Sequence, residues 1–334
     1  MANKSGVSIT APEVAVLWTQ YQNECLASCV MKYLIAKNEN DSFCGILEFA
    51  LALSQKHIGF IKTFFAQEGQ VIPDGFTDKD IDLLAPKLFG DCFALHYLGN
   101  MSRLGIAAHG LSLCCSAHPN IRNFYKQNLA ESVELNEKIV RVMLDKGIYI
   151  RPPSIPPATS VHYAERQGFL GSLFQETRPL TAIEIMNLFV NIQTNIIGKA
   201  IMTAFSQVAA SPQIRDYFLR GKSIAQKHID IFNDKLVKDD LTGSLPIEPL
   251  ITDSTQSPFS DKLMLFHTAA LVQAGIGNYG VAISTSQRYD IVIDYTRLMA
   301  EVGTYSEDGA NLLIENGWFE EPPQAVNRRE LARV

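Results

Sequence analysis

The run "SQKHI" at Ser54–Ile58 returns as "AQKHI" at Ala225–Ile229, with a histidine near the centre of each. Shifting the chain by 171 residues places Thr10 on Thr181, Glu13 on Glu184, Gln22 on Gln193 and Gln55-Lys56-His57 on Gln226-Lys227-His228. Beyond the second helix the offset becomes 170. Asp91 then falls on Asp261, Gly105 on Gly275, Gly110 on Gly280, Ala130-Glu131 on Ala300-Glu301 and Glu137 on Glu307. "KGIYIRPP" (Lys146–Pro153) lies on "NGWFEEPP" (Asn316–Pro323). A register kept over so long a stretch implies two copies of one domain, each longer than a solenoid repeat.

Each copy reads as four long helices. "TAPE" (Thr10–Glu13) and "TAIE" (Thr181–Glu184) are capping boxes, in which the Thr hydroxyl and the Glu carboxylate satisfy each other's backbone amides. Helix 1 runs from there to about Lys37 and Ala209. Asn40 and Ser211 are aligned N-caps for helix 2, and Pro212 suits a first helical turn. Helix 2 ends near Gly69 and Asp240. Helix 3 is expected over Pro86–Ala117 and Pro258–Gln287. Helix 4 is expected over Asn120–Lys146 and Asp290–Asn316, closed by Gly147 and Gly317 with Pro-Pro beyond. Rods of about 27 residues, near 40 Å at about 1.5 Å per residue, share their apolar stripes best as a bundle. The expected fold is all-α: two tandem four-helix bundles, residues 1–150 and 180–334, joined by a Pro-rich linker, residues 151–179. Phe169 and Phe174 of "GFLGSLF" are expected to dock that linker. Helix 3 is apolar on every side, so it should be covered by the other bundle or by a second chain.

Composition narrows the function classes. The chain has 334 residues, 47% hydrophobic and 19% charged, with a net charge of −6. That suits a globular protein and argues against nucleic acid as a partner. "MANKSGVSITAPE" has no apolar signal core, so a cytoplasmic protein is expected. Leu263–Ile283 is the most apolar stretch, but His267, Gln273 and Asn278 interrupt it, and no membrane span is expected. The six cysteines form no Cys-x-x-Cys pair and read as reduced core residues.

On a helical wheel Phe43, Leu47, Ala50, Ser54, His57, Ile58 and Ile61 share one stripe, as do Ile214, Phe218, Gly221, Ala225, His228, Ile229 and Phe232. Both histidines therefore point inward. A core histidine tied to a hydrogen-bond partner accounts for this. So does a metal ligand or proton-transfer group, since neutral imidazole suits both. The Glu-x-x-His pattern of di-metal bundles occurs nowhere. A mononuclear transition-metal site would pair His57 with Glu131 and His228 with Glu301. Cys25 and Cys29 have ligand spacing, but their counterparts are Ile196 and Ala200, so they read as core filler. Tyr97 and His267 occupy matching places on helix 3, as do His109 and Tyr279, a pattern of polar core filling rather than a fixed catalytic set. No phosphate-binding glycine loop or nucleophile elbow is present.

"SQKHI", "RPP" (Arg151–Pro153), "PFSDKLM" (Pro258–Met264), "GIGNYG" (Gly275–Gly280), "RLMAEV" (Arg297–Val302) and "EDGANLLIENGWFEEPPQAV" (Glu307–Val326) resemble a two-copy family of spore-forming bacilli. That family is a domain of unknown function related to spore coat protein F. The resemblance implies a ferritin-like fold and brings no established reaction or site residues. It implies a spore-coat-like structural or interaction protein whose partners are other coat proteins or a second copy of itself, incorporated into the spore coat. The alternatives are a ferritin-like metal-binding or redox protein and a carrier of an apolar small molecule.

Overall fold

The computed structural model describes residues 8–165, 167–171, 178–243, 247 and 250–333. Four long helices make up each copy. In the first they are α1 (Ala11–Lys37), α2 (Asp41–Glu68), α3 (Asp91–Cys114) and α4 (Pro119–Asp145). In the second they are α5 (Ala182–Val208), α6 (Pro212–Val237), α7 (Asp261–Thr285) and α8 (Tyr289–Glu315). A short helix, α9 (Arg328–Leu331), follows. Within each copy the first helix packs along the second and the third along the fourth. The result is two tandem helical bundles, with no helix among the described residues long and apolar enough to cross a membrane.

The helix starts follow the local sequence. Glu13 accepts the Thr10 amide (2.8 Å) and hydroxyl (2.7 Å), and Glu184 accepts the Thr181 amide (2.9 Å). Both glutamates are fully buried and cap a second helix as well. Glu13 takes the Ala117 and His118 amides at the start of α4, and Glu184 takes the Gln287 and Arg288 amides at the start of α8. Glu184 also holds the Arg178 guanidinium through two bonds of 2.8 and 2.9 Å. Burial opposes its charge, but Arg178 and the backbone amides outweigh burial and bring its pKa down to about 2. Gly69, Gly147 and Gly317 end α2, α4 and α8 with positive φ, as a left-handed terminal residue requires.

α3 and α7 begin about five and three residues later than the sequence implies. Pro86–Gly90 and the matching segment before Asp261 stay extended because each pairs with backbone of the opposite copy, the first with Leu250–Thr252 and the second with Asp80–Asp82. Ile81 bridges Phe259, and Phe89 bridges Ile251, both antiparallel. At the 170-residue offset each bridge maps onto the other. The hydrogen bonds obey the same exchange. Asp82 N–H donates to Pro258 O (2.8 Å) and its counterpart Thr252 N–H to Leu88 O (3.0 Å). Gly90 N–H donates to Leu250 O (2.7 Å) and its counterpart Ser260 N–H to Asp80 O (2.9 Å). This is an isologous joint, in which i meets j′ and j meets i′ across an approximate two-fold axis. Tyr97 and His267, equivalent residues, meet each other there at 3.1 Å. The first half of α3, through Tyr97, is thus covered by the second bundle, whereas its second half leaves Leu111 66% exposed.

Fully buried Tyr33, Phe43, Phe65 and Phe93 fill the first bundle, and Phe205, Phe218, Phe232 and Tyr295 the second. Burying each such side chain is worth about 1.5–3 kcal/mol relative to exposure. In the linker Phe169 is partly exposed, with the Arg178 guanidinium 4.3 Å over its ring. Phe174 lies outside the described residues.

Candidate histidine centres

The inward stripe of α2 carries His57 into the first bundle with 3% of its surface exposed, and that of α6 carries His228 into the second with none. Each meets the glutamate expected from sequence. His57 Nε2 lies 3.1 Å from Glu131 Oε2 on α4, and His228 Nε2 lies 3.2 Å from Glu301 Oε2 on α8. The neighbouring lysine steadies each glutamate from outside: Lys56 pairs with Glu131, and Lys227 reaches both Glu301 oxygens at 2.9 and 3.0 Å.

On the other ring nitrogen the copies differ. His57 Nδ1 sits 2.7 Å from Glu24 Oε1 on α1. A carboxylate only accepts, so a ring between two carboxylates carries a hydrogen on both nitrogens and is an imidazolium. Burial pulls the His57 pKa down, but hydrogen bonds and charge from Glu24 and then Glu131 outweigh it, and the pKa stands above the ordinary 6.5. Glu24 and Glu131 in turn are held below their ordinary value. Burial opposes this; at Glu24 His57 overcomes it with help from Ser54, and at Glu131 Lys56 and then His57 do so.

In the second bundle Glu24 is replaced by Asn195. His228 Nδ1 instead meets the Tyr279 hydroxyl at 2.8 Å, and Asn195 Nδ2 donates to that hydroxyl at 2.9 Å. One assignment satisfies the chain: Asn195 donates to Tyr279, Tyr279 to bare Nδ1, and Nε2–H to Glu301. The ring is neutral. Burial lowers the His228 pKa, and Glu301 offsets this only in part.

His109 takes the place of Tyr279 in the first bundle. Its Nε2 accepts from Gln20 (3.3 Å) and its Nδ1 donates to Ser132 (3.0 Å), which makes it neutral; burial also lowers its pKa. Its ring centroid is 6.0 Å from that of His57. Glu24, His57, His109 and Glu131 therefore neighbour one another, yet Glu24 and Glu131 approach opposite edges of the His57 ring and do not converge on a point. Among the described residues no group of three or more His, Cys, Asp and Glu side chains is arranged to hold a metal ion. Cys25 and Cys29 are buried elsewhere in the core.

Sequence reasoning did not single out Glu24. Its signal was present: Glu24 follows Gln20 by one turn on the inward side of α1, and Gln20 Nε2 donates to it at 3.2 Å. Weight given to positions shared by both copies hid it, because its counterpart is an asparagine.

A family model described as "Protein of unknown function (DUF3231)" matches the chain twice, over residues 2–161 and 168–331. No curated protein matches it. A solved structure described as a "putative spore coat protein" from Bacillus halodurans superposes with a TM-score of 0.42 at 15% identity, covering 45% of this chain and 98% of that one. At that score the likeness carries no argument about this chain.

Proposed function

We propose, for a chain that belongs to the DUF3231 family and carries its domain twice, a non-enzymatic structural or interaction role, of the spore-coat-like kind its sequence resembles. The observation that supports this most is the saturation of the two inward histidines. Each ring nitrogen of His57 and His228 already has a partner inside its own bundle. Neither ring leaves a nitrogen without a partner for a metal or a substrate proton to take. Each bridges three helices, α1, α2 and α4 in the first bundle and α6, α7 and α8 in the second. They serve as struts: a buried imidazole with both nitrogens satisfied fixes the register of the helices it joins.

A second reading, metal binding, is favoured by one feature, the crowding of Glu24, His57, His109 and Glu131 in the first bundle. It requires His57 to give up one carboxylate. Metal analysis of the full chain purified without chelator separates the two. The strut reading expects less than about a tenth of an equivalent of transition metal per chain. It also expects His57→Gln to destabilise the fold by about 1–3 kcal/mol through unpaired carboxylates. Near-stoichiometric metal that disappears in His57→Gln and Glu24→Gln would establish the metal reading instead. Fractionation of sporulating cells tests the coat role: the chain should follow the spore coat fraction, and equal abundance in growing cells with none in spores refutes it.

A further inference from the structure

The isologous joint leaves two equivalent cavities, one on each side of the axis. One lies between α5 and the α3–α4 pair and holds about 100 Å³; the other lies between α1 and the α7–α8 pair and holds about 610 Å³. The second copy of a cavity is a built-in control. In the small one Arg103 crosses to Gln193 (2.9 Å) and Val140 and Met143 line the wall. Their counterparts in the large one are Gln273, Gln22, Ala310 and Leu313. No hydrogen bond joins the two glutamines among the described residues.

The large cavity also gains an ammonium and an indole wall that the small one lacks. Lys262 stands where the first copy has Cys92, and Trp18 where the second copy has Phe189. The Lys262 ammonium has no carboxylate partner among the described residues and lies 5.3 Å from the Phe76 ring centroid. Trp18 is 8% exposed and contributes its indole ring to the wall. The rest of the wall is largely apolar, including Val14, Phe266 and Trp318. The segment after α8 closes one side, pinned where Glu320 accepts the Asp74 and Gly75 amides at 3.0 and 3.2 Å. That carboxylate is thereby occupied.

We infer that the large cavity is a binding site for a medium- or long-chain carboxylic acid, with the alkyl chain along the apolar wall and the acceptor-only head toward Lys262. The volume falls in the roughly 300–1,000 Å³ range of small-molecule sites. A single ammonium suits a monoanion. The site is separate from the histidine centres and stands or falls independently of the structural role proposed above.

The chain's two tryptophans, Trp18 and Trp318, both line this cavity, so intrinsic fluorescence reports on it directly. Laurate titrated into the full chain, below its micelle concentration, should shift the emission saturably at one site per chain. Lys262→Met should weaken laurate at least tenfold while leaving 1-dodecanol unchanged. Ala310→Met should weaken both, with circular dichroism confirming an intact fold. The absence of saturable change overturns the inference. Equal binding of laurate and dodecanol, unaffected by Lys262→Met, overturns the assignment of an acid.

Discussion

His57 and His228 occupy one position in two copies of one helix, yet they carry different charges. The difference comes from two substitutions facing them, Glu24 against Asn195 and His109 against Tyr279. Where Glu24 stands, the imidazole gains a second carboxylate and is held as a cation. Where Asn195 stands, a tyrosine hydroxyl fills the gap and the ring stays neutral. The pH consequences have opposite signs. His57 titrates above 6.5 in the fold, so its contribution is full below the unfolded value near 6.5 and is lost as pH rises through the folded pKa. Its carboxylate partners are held below 4.5, and their contribution is lost as pH falls below that value. The first centre is therefore strongest between these limits. His228 is held below 6.5, so its centre is fully stabilising above 6.5 and weakens as pH falls below it.

At the scale of helices, the copies also solve one packing problem in two ways. In the first bundle α2 and α4 carry the buried Ile46, Ala50, Leu135 and Ile139 at these positions. Their counterparts between α6 and α8 are Tyr217, Gly221, Tyr305 and Gly309. The two tyrosine rings stack at 4.3 Å, and each hydroxyl sits over the glycine of the facing helix. A Cβ at Gly309 would collide with the Tyr217 hydroxyl. Alanine in a helix interior normally gains about 1 kcal/mol over glycine. Here overpacking of about 1–3 kcal/mol should reverse that sign, and Gly309→Ala should lower the urea midpoint. In a Tyr217→Phe background the same change should cost less. The helices themselves were legible in sequence because caps and periodicity are local: the Thr-x-x-Glu boxes, Asn40 and Ser211, and the terminal glycines all act where they stand. The early starts expected for α3 and α7 failed because Pro86–Gly90 is held extended by Leu250–Thr252, some 160 residues away, and the segment before Asp261 by Asp80–Asp82. The His57–Glu131 and His228–Glu301 pairs were legible because the repeat copied them. Glu24 was not, since only the tertiary fold shows which edge of the His57 ring it faces.

The whole molecule behaves as a two-fold dimer written on one chain. The axis passes near Tyr97 and His267, where the first copy supplies a hydroxyl and the second an imidazole. His267 is buried, and burial alone brings its pKa down to about 4. It is neutral in the fold and takes a proton near 6.5 when unfolded. The joint therefore loses stability as pH falls from 6.5 to about 4, on the order of 3 kcal/mol in total. Tyr97→Phe should remove the hydroxyl from His267 Nε2, whose partner nitrogen Nδ1 already lacks an acceptor among the described residues. The expected cost is about 1–3 kcal/mol in urea unfolding at pH 7.5. A neutral result would mean that the halves are not coupled through this contact. The claim on which the rest turns is that matched histidines act as struts in unlike charge states, and histidine-selective NMR titration of the full chain measures it. The account predicts that His57 titrates above 6.5 and His228 below it, and that Glu24→Gln brings the His57 value down. Two rings titrating together near 6.5, indifferent to Glu24→Gln, would contradict it.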